Sequence, residues 1–125
     1  MVSEKYGRIV AIGSIAARSV AHSSLSYNAS KWGLVGLIKA TAMDLGKSGI
    51  TANLVHMSMT ETGMVSSFFP KEVMKEFIKK INVTNSGFIE ASESARMVAF
   101  LAMKESGNIS GANFDVTAGQ SARWP

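Results

Sequence analysis

The sequence predicts an α/β protein, with one layer of parallel strands covered by helices. Three observations carry that prediction. Short apolar runs at "RIVAIG" (Arg8 to Gly13), "TANLVH" (Thr51 to His56) and around Asn113 to Val116 have the length and composition of strands buried in a parallel sheet. Segments of helical character separate them in the order β-α-β-α-α-β, which suits right-handed crossovers between parallel strands. The chain has 125 residues, 46% of them hydrophobic and 18% charged, enough for the packed core of one modest domain.

The first strand ends in Gly13-Ser14, and the small, polar stretch "SIAARSVAHSS" supplies serines able to cap the next helix. From Leu25 to Lys47 the chain reads as one long helix, with Gly49 placed for a left-handed C-terminal cap. Its apolar residues form two stripes, Trp32, Val35 and Met43 on one and Leu34, Leu37, Ile38 and Leu45 on the other, covering more than half the circumference. Such a helix is expected to be covered twice, by the sheet and by another helix or a partner subunit. Gly33 and Gly36 each cost roughly 1 kcal/mol relative to alanine in a helix, which predicts close approach of another backbone.

The strand "TANLVH" leads into "MSMTETGMVSS", a loop without regular periodicity. In the helix expected from Lys71 to Ile81, Lys71, Lys75 and Lys79 alternate with Glu72 and Glu76, as on a solvated face. A third helix is expected within "SESARMVAFLAMK", capped by Ser92 or Ser94, and a Gly-containing turn then precedes the strand near Asn113 to Val116. No internal repeat or low-complexity linker interrupts the series.

Composition narrows the function. There is no cysteine and only two histidines, His22 and His56, so neither a disulfide framework nor a metal site is expected. The net charge of +4 is spread along the chain and gives no nucleic-acid footprint. No run of about 18 apolar residues occurs and "MVSEKYGR" is no secretory signal, so the expectation is a soluble cytoplasmic protein without membrane contact. Of the eight methionines, most should fill core gaps, while Met57, Met59 and Met64 crowd one loop and could line a pocket.

The chemistry concentrates in "YNASKWG", where Tyr27 and Lys31 lie four positions apart and so share a helix face. Alone, this spacing is equally that of ordinary surface neighbours. The helix follows a strand ending in Ser14, however, and ligands of open α/β sheets bind outside the carboxyl ends of the strands. Ser14 stands thirteen residues ahead of Tyr27. With "RIVAIGSIAA", "YNASKWGLVGL", "ITANLVH" and "ISGANFDVTAG", the chain resembles the C-terminal half of a short-chain dehydrogenase/reductase, most similar to hydroxysteroid-type and related alcohol dehydrogenases.

That resemblance implies an NAD- or NADP-dependent oxidoreductase interconverting a secondary alcohol and a ketone. Tyr27 would exchange the proton with the substrate oxygen, Ser14 would orient that oxygen, and Lys31 would hold the nicotinamide ribose. An ammonium beside a phenol also favours its ionised form, which gives Lys31 a second purpose. The resemblance places Thr60 and Thr62 in the loop that contacts the carboxamide and phosphates, while the wide apolar surface of the helix 25–48 leads to the expectation of a homo-oligomer formed through it. Residues 57–80 should rim the substrate pocket, where Met64, Phe68 and Phe69 favour an apolar substrate or are simply packed. Blander readings stay open: Ser14 as a turn cap, Thr60 and Thr62 as turn residues, His56 as a packed histidine and His22 as a loop residue.

Two departures qualify the resemblance. Met57-Ser58 stands where the family has Pro-Gly, so the cofactor loop could follow another path. The Gly-rich turn that receives the dinucleotide pyrophosphate is absent, together with the residue that separates NAD from NADP and the asparagine of the family's proton relay. Residues 1–125 are therefore read as a single partial Rossmann-like domain, about three strands with flanking helices, lacking the N-terminal cofactor-binding half. The expectation is a fragment or one piece of an assembly, with little dehydrogenase activity alone and an open sheet edge. The alternative is a non-catalytic interaction module, a dimerising fragment in which the site residues are relics.

Overall fold

In the computed structural model, which describes all residues except 21–23, 69, 85–86 and 124–125, three parallel strands form one sheet in the order β1-β2-β3. β1 (Gly7–Ser14) and β2 (Ile50–Met57) pair along their whole length, from Gly7 opposite Ile50 to Ser14 opposite Met57. β3 (Asn113–Val116) pairs with the second half of β2, Leu54 opposite Asn113 through Met57 opposite Val116. The helices are α1 (Leu25–Leu45), α2 (Gly63–Phe68), α3 (Lys71–Ile81) and α4 (Ala91–Ala102). α2 replaces part of the stretch expected to be an irregular loop; at six residues it is too short to show a helical period.

Strand β2 is buried from Ile50 to His56, as its composition predicts for a central strand. β1 departs from the expectation of burial on both faces. Ile12 is 45% exposed, because β1 is an edge strand among the described residues and its end is uncovered. The core joins sheet to helix: Ile38 of α1 packs on Ala52 and Leu54, with Ile9, Ala11, Leu34, Val35 and Ala42 around them. A fully buried isoleucine or leucine contributes about 1.5–3 kcal/mol, an alanine less.

Helix α1 ends where the sequence places its stop. A short 3-10 turn (Gly46–Ser48) follows, and Gly49 has φ of 73°, in the left-handed region. A side chain there would strike the Lys5 carbonyl. Gly33 and Gly36 behave otherwise: nothing lies within 4 Å of an added Cβ at either, so the close backbone approach expected there is not found among the described residues. Trp32, Leu37 and Met43 are exposed, whereas Leu34, Val35 and Ile38 face the core, so the uncovered face of α1 cuts across the two stripes drawn from the sequence.

α4 also differs in detail. Its N-cap is Glu90, not Ser92 or Ser94, and Glu93 Oε2 accepts the Glu90 backbone N–H at 2.9 Å. Ser94 is instead buried on the helix face. Arg8 ties β1 to the far end of this helix by donating to the Met103 and Lys104 carbonyls at 3.1 Å each; Met103 is the C-cap, where a helix leaves acceptors free, and the Lys104 carbonyl also accepts the Gly107 N–H. Asn53 acts in the same way on the loop before β3, donating to the Ile109 carbonyl at 2.7 Å and accepting from the Ala112 N–H at 3.1 Å.

Candidate active site

The carboxyl ends of β1 and β2, the start of α1 and the loop after β2 define the candidate site. Ser14 is the last residue of β1, and its hydroxyl accepts the Ala16 N–H at 3.2 Å, capping the 3-10 turn Ile15–Ala17. The blander reading of Ser14 as a cap is thus realised in the structure, and it holds the hydroxyl at the strand end. Tyr27 and Lys31 lie one turn apart on α1. The Lys31 ammonium donates to the Ile12 carbonyl at 3.1 Å and stands 5.7 Å from the centre of the Tyr27 ring. Lys31 therefore links α1 to the strand that ends, two residues later, in Ser14. Tyr27 is 48% exposed, so its phenol is open to a ligand.

The loop after β2 is stitched in place without Pro-Gly. Ser58 donates its hydroxyl proton to Gln120 Oε1 at 2.6 Å, and Gln120 donates to Asn82 Oδ1 at 2.6 Å. The Ser58 hydroxyl thereby anchors a loop that the missing proline and glycine do not preset. Thr60 forms a parallel bridge with Ile89 and donates to the Ser58 carbonyl at 3.1 Å. Thr60, Thr62 and Met57 line one wall of a cavity of about 500 Å³ whose other wall is α4, with Ser94, Val98 and Ala102 among its residues. Sequence reading missed that wall, although the small residues of "ASESARMVAFLA" recur at helical spacing and could have marked it. Of the expected pocket rim, Met57 is on the cavity; the Met64 and Phe68 side chains and Phe69 lie outside the described residues, as does His22.

Two ion pairs border these elements. Arg18, just after the Ile15–Ala17 turn, pairs with Asp115 of β3 at 3.3 Å. Lys71 pairs with Glu61 in the loop, which raises the Lys71 ammonium and holds the Glu61 carboxyl below its usual range through hydrogen bond and charge. His56 is fully buried, and burial first, then the Arg18 charge, hold its imidazole below its ordinary value.

A family model described as enoyl-(acyl carrier protein) reductase matches residues 1–121. The chain belongs to the short-chain dehydrogenase/reductase family. It is 32% identical over 119 residues to the 3-oxoacyl-[acyl-carrier-protein] reductase of Buchnera aphidicola subsp. Baizongia pistaciae, covering 95% of this chain and 47% of that protein. With the acetoacetyl-CoA reductase of Shinella zoogloeoides it shares 35% identity over 120 residues, covering 96% and 49%. An actinorhodin polyketide ketoreductase variant solved with NADPH superposes with a TM-score of 0.88 at 27% identity, covering 97% of this chain and 49% of that one. A Thermus thermophilus protein gives a TM-score of 0.89 at 25% identity, covering 98% and 52%. The three-stranded layer is thus a Rossmann-type short-chain dehydrogenase/reductase sheet, and the chain spans about half the length of the relatives it matches. Among the described residues no helix is long and apolar enough to cross a membrane.

Proposed function

We propose that this chain carries the Ser-Tyr-Lys centre of an NAD(P)-dependent oxidoreductase that interconverts a secondary alcohol and a ketone. The observation that carries the reading is the tether between Lys31 and the Ile12 carbonyl, which fixes the Tyr27 turn of α1 against the strand ending in Ser14. Tyr27, with its phenol open to solvent, is the group that gives a proton to a ketone oxygen or takes one from an alcohol. Ser14 orients the same oxygen through its hydroxyl and stabilises the charge that develops there. Lys31 supplies positive charge beside the phenol and a donor for ribose hydroxyls.

What supports a nicotinamide dinucleotide among these residues is the ammonium next to the phenol; Thr60 and Thr62 line a cavity whose wall is nearly all apolar, and the Thr60 hydroxyl is already donated to the Ser58 carbonyl. When bound, that cofactor supplies or accepts the hydride. The names of the relatives direct the substrate class to a 3-oxoacyl thioester, whose ketone becomes a secondary alcohol on reduction. The setting proposed is soluble and cytoplasmic, with the pyrophosphate-binding part of the sheet supplied outside residues 1–125.

The test is reduction of acetoacetyl-CoA with NADH and with NADPH by the protein purified from its source, so that whatever completes the sheet is present. Turnover with one cofactor, lost by about a hundredfold or more in a Ser14→Ala variant, is the expected result. Full turnover in that variant would remove Ser14 from the chemistry. A second reading has its own support in the exposed Trp32, Leu37 and Met43 of α1, which suit docking against a second copy of this chain. That association is compatible with catalysis; only a docking function without turnover competes with it.

A further inference from the structure

One buried polar side chain has no part in the proposed chemistry. His56 is 0% exposed, and its Nδ1 lies 3.0 Å from the Ser14 carbonyl oxygen. A carbonyl only accepts, so Nδ1 carries the proton, and the neutral ring keeps its lone pair on Nε2. The register that puts Gly13, His56 and Asp115 in one row across the three strands brings the ring against Gly13. A Cβ on Gly13 would come to 2.7 Å from Nδ1 and 3.2 Å from Cε1, so the ring occupies the space that the glycine leaves open.

We propose that His56 is a positioning residue for Ser14, holding the Ser14 carbonyl to β2 through Nδ1–H and thereby fixing the backbone from which the Ser14 hydroxyl is presented. The proposal rests on the reading of Ser14 as the residue that orients the substrate oxygen. Ser14 sits where the strand turns into the Ile15–Ala17 helix, and it is held at two points. Its carbonyl is bound by His56 at 3.0 Å and its hydroxyl by the Ala16 N–H at 3.2 Å. With the peptide after Ser14 anchored, the direction of its Cα–Cβ bond is set by the sheet and not by the mobility of the turn.

The Asn113 amide stands close enough to bear on the ring's protonation, yet among the described residues neither His56 Nε2 nor Asn113 Oδ1 has a hydrogen-bond partner. The charged groups acting on the ring are Arg18 and Asp115, which pair with each other and oppose each other's influence, so burial keeps the ring neutral.

The experiment has two parts, neither of which needs turnover, so its failure is separable from failure of the proposed activity. Long-range 15N–1H NMR of the purified protein should show His56 as the neutral Nδ1–H tautomer at pH 7; an Nε2–H tautomer overturns the proposal. Amide exchange is then compared between the protein and its His56→Asn and His56→Leu variants. An asparagine amide nitrogen can take the place of Nδ1, whereas leucine offers no donor. Ala16 exchange should quicken about tenfold in His56→Leu, the size of one ordinary hydrogen bond, and return in His56→Asn, while the Leu54 amide stays protected in both. Unchanged Ala16 exchange in a folded His56→Leu variant overturns it. If that variant does not fold, the tautomer and the His56→Asn exchange decide.

Discussion

Lys31 and Tyr27 are held in different ways, and the difference fits their proposed roles. The ammonium is anchored to the Ile12 carbonyl of β1, while the phenol is about half exposed at 48%. One member belongs to the frame and the other is left accessible. Replacing Lys31 with methionine keeps the stem but removes the donor to Ile12, so a loss of about 0.5–1.5 kcal/mol in urea-unfolding stability is expected. An unchanged midpoint would show the tether to be of no consequence. His56 gives a pH dependence whose sign is fixed. Its folded value lies below the ordinary one, through burial first and Arg18 second. In acidifying through about 6.5 the unfolded chain takes up the proton before the folded chain does, so stability is full above that pH and falls below it. Asp115 and the Ser14 and Asn113 contacts act in the opposite direction and limit the shift. The urea midpoint should therefore drop between pH 7.5 and pH 5 in the unaltered protein and drop less in His56→Asn; equal drops would contradict the assignment. Tyr27, Lys31 and Ser14 were legible as a pattern in the sequence, whereas the His56 contact was not. It depends on a strand register, Gly13 beside His56, that no single-strand pattern specifies.

At the level of elements, β2 and α3 matched their sequence patterns because each is set by local composition, whereas β1 lies where it was expected but is not buried on both faces. "TANLVH" is apolar enough to be central, and "KEVMKEFIKK" carries its charges at helical spacing, with Lys79 and Glu76 paired at 3.0 Å on the exposed side. α4 was found but its cap was not, since Glu90 and Glu93 provide a cap that serine-based reasoning overlooks. The glycines of α1 and its C-terminal turn separate two causes of glycine use. At Gly49 the backbone has positive φ and the Lys5 carbonyl blocks a side chain, so Gly49→Ala should destabilise by more than about 1 kcal/mol. At Gly33 and Gly36 a methyl group meets nothing, so alanine should stabilise the chain by roughly 0.5–1 kcal/mol at each site. Thermal unfolding of the three variants decides between these signs. A loss of stability at Gly33 or Gly36 would mean that another backbone does approach there in the protein's assembly.

For the molecule as a whole, the described strands leave β1 paired only to β2, and α1 with an exposed apolar face at Trp32, Leu37 and Met43. Open sheet edges and bare apolar helix faces are where chains associate. Sedimentation velocity should show self-association that a charge at Leu37, as Leu37→Glu, weakens by at least about tenfold; a monomer of unaltered size in both proteins would contradict docking through α1. The half-sheet was legible in the sequence from its motifs, but what completes it was not, because packing partners across a sheet leave no periodic trace in the strands they cover. The central claim is that Tyr27 transfers the proton. It is tested most directly by measuring acetoacetyl-CoA reduction and dinucleotide binding side by side, in the source protein and in its Tyr27→Phe variant. The account predicts that turnover falls by about 10²–10⁴ while dinucleotide affinity changes little, because only the hydroxyl is lost. Turnover retained in Tyr27→Phe would contradict it.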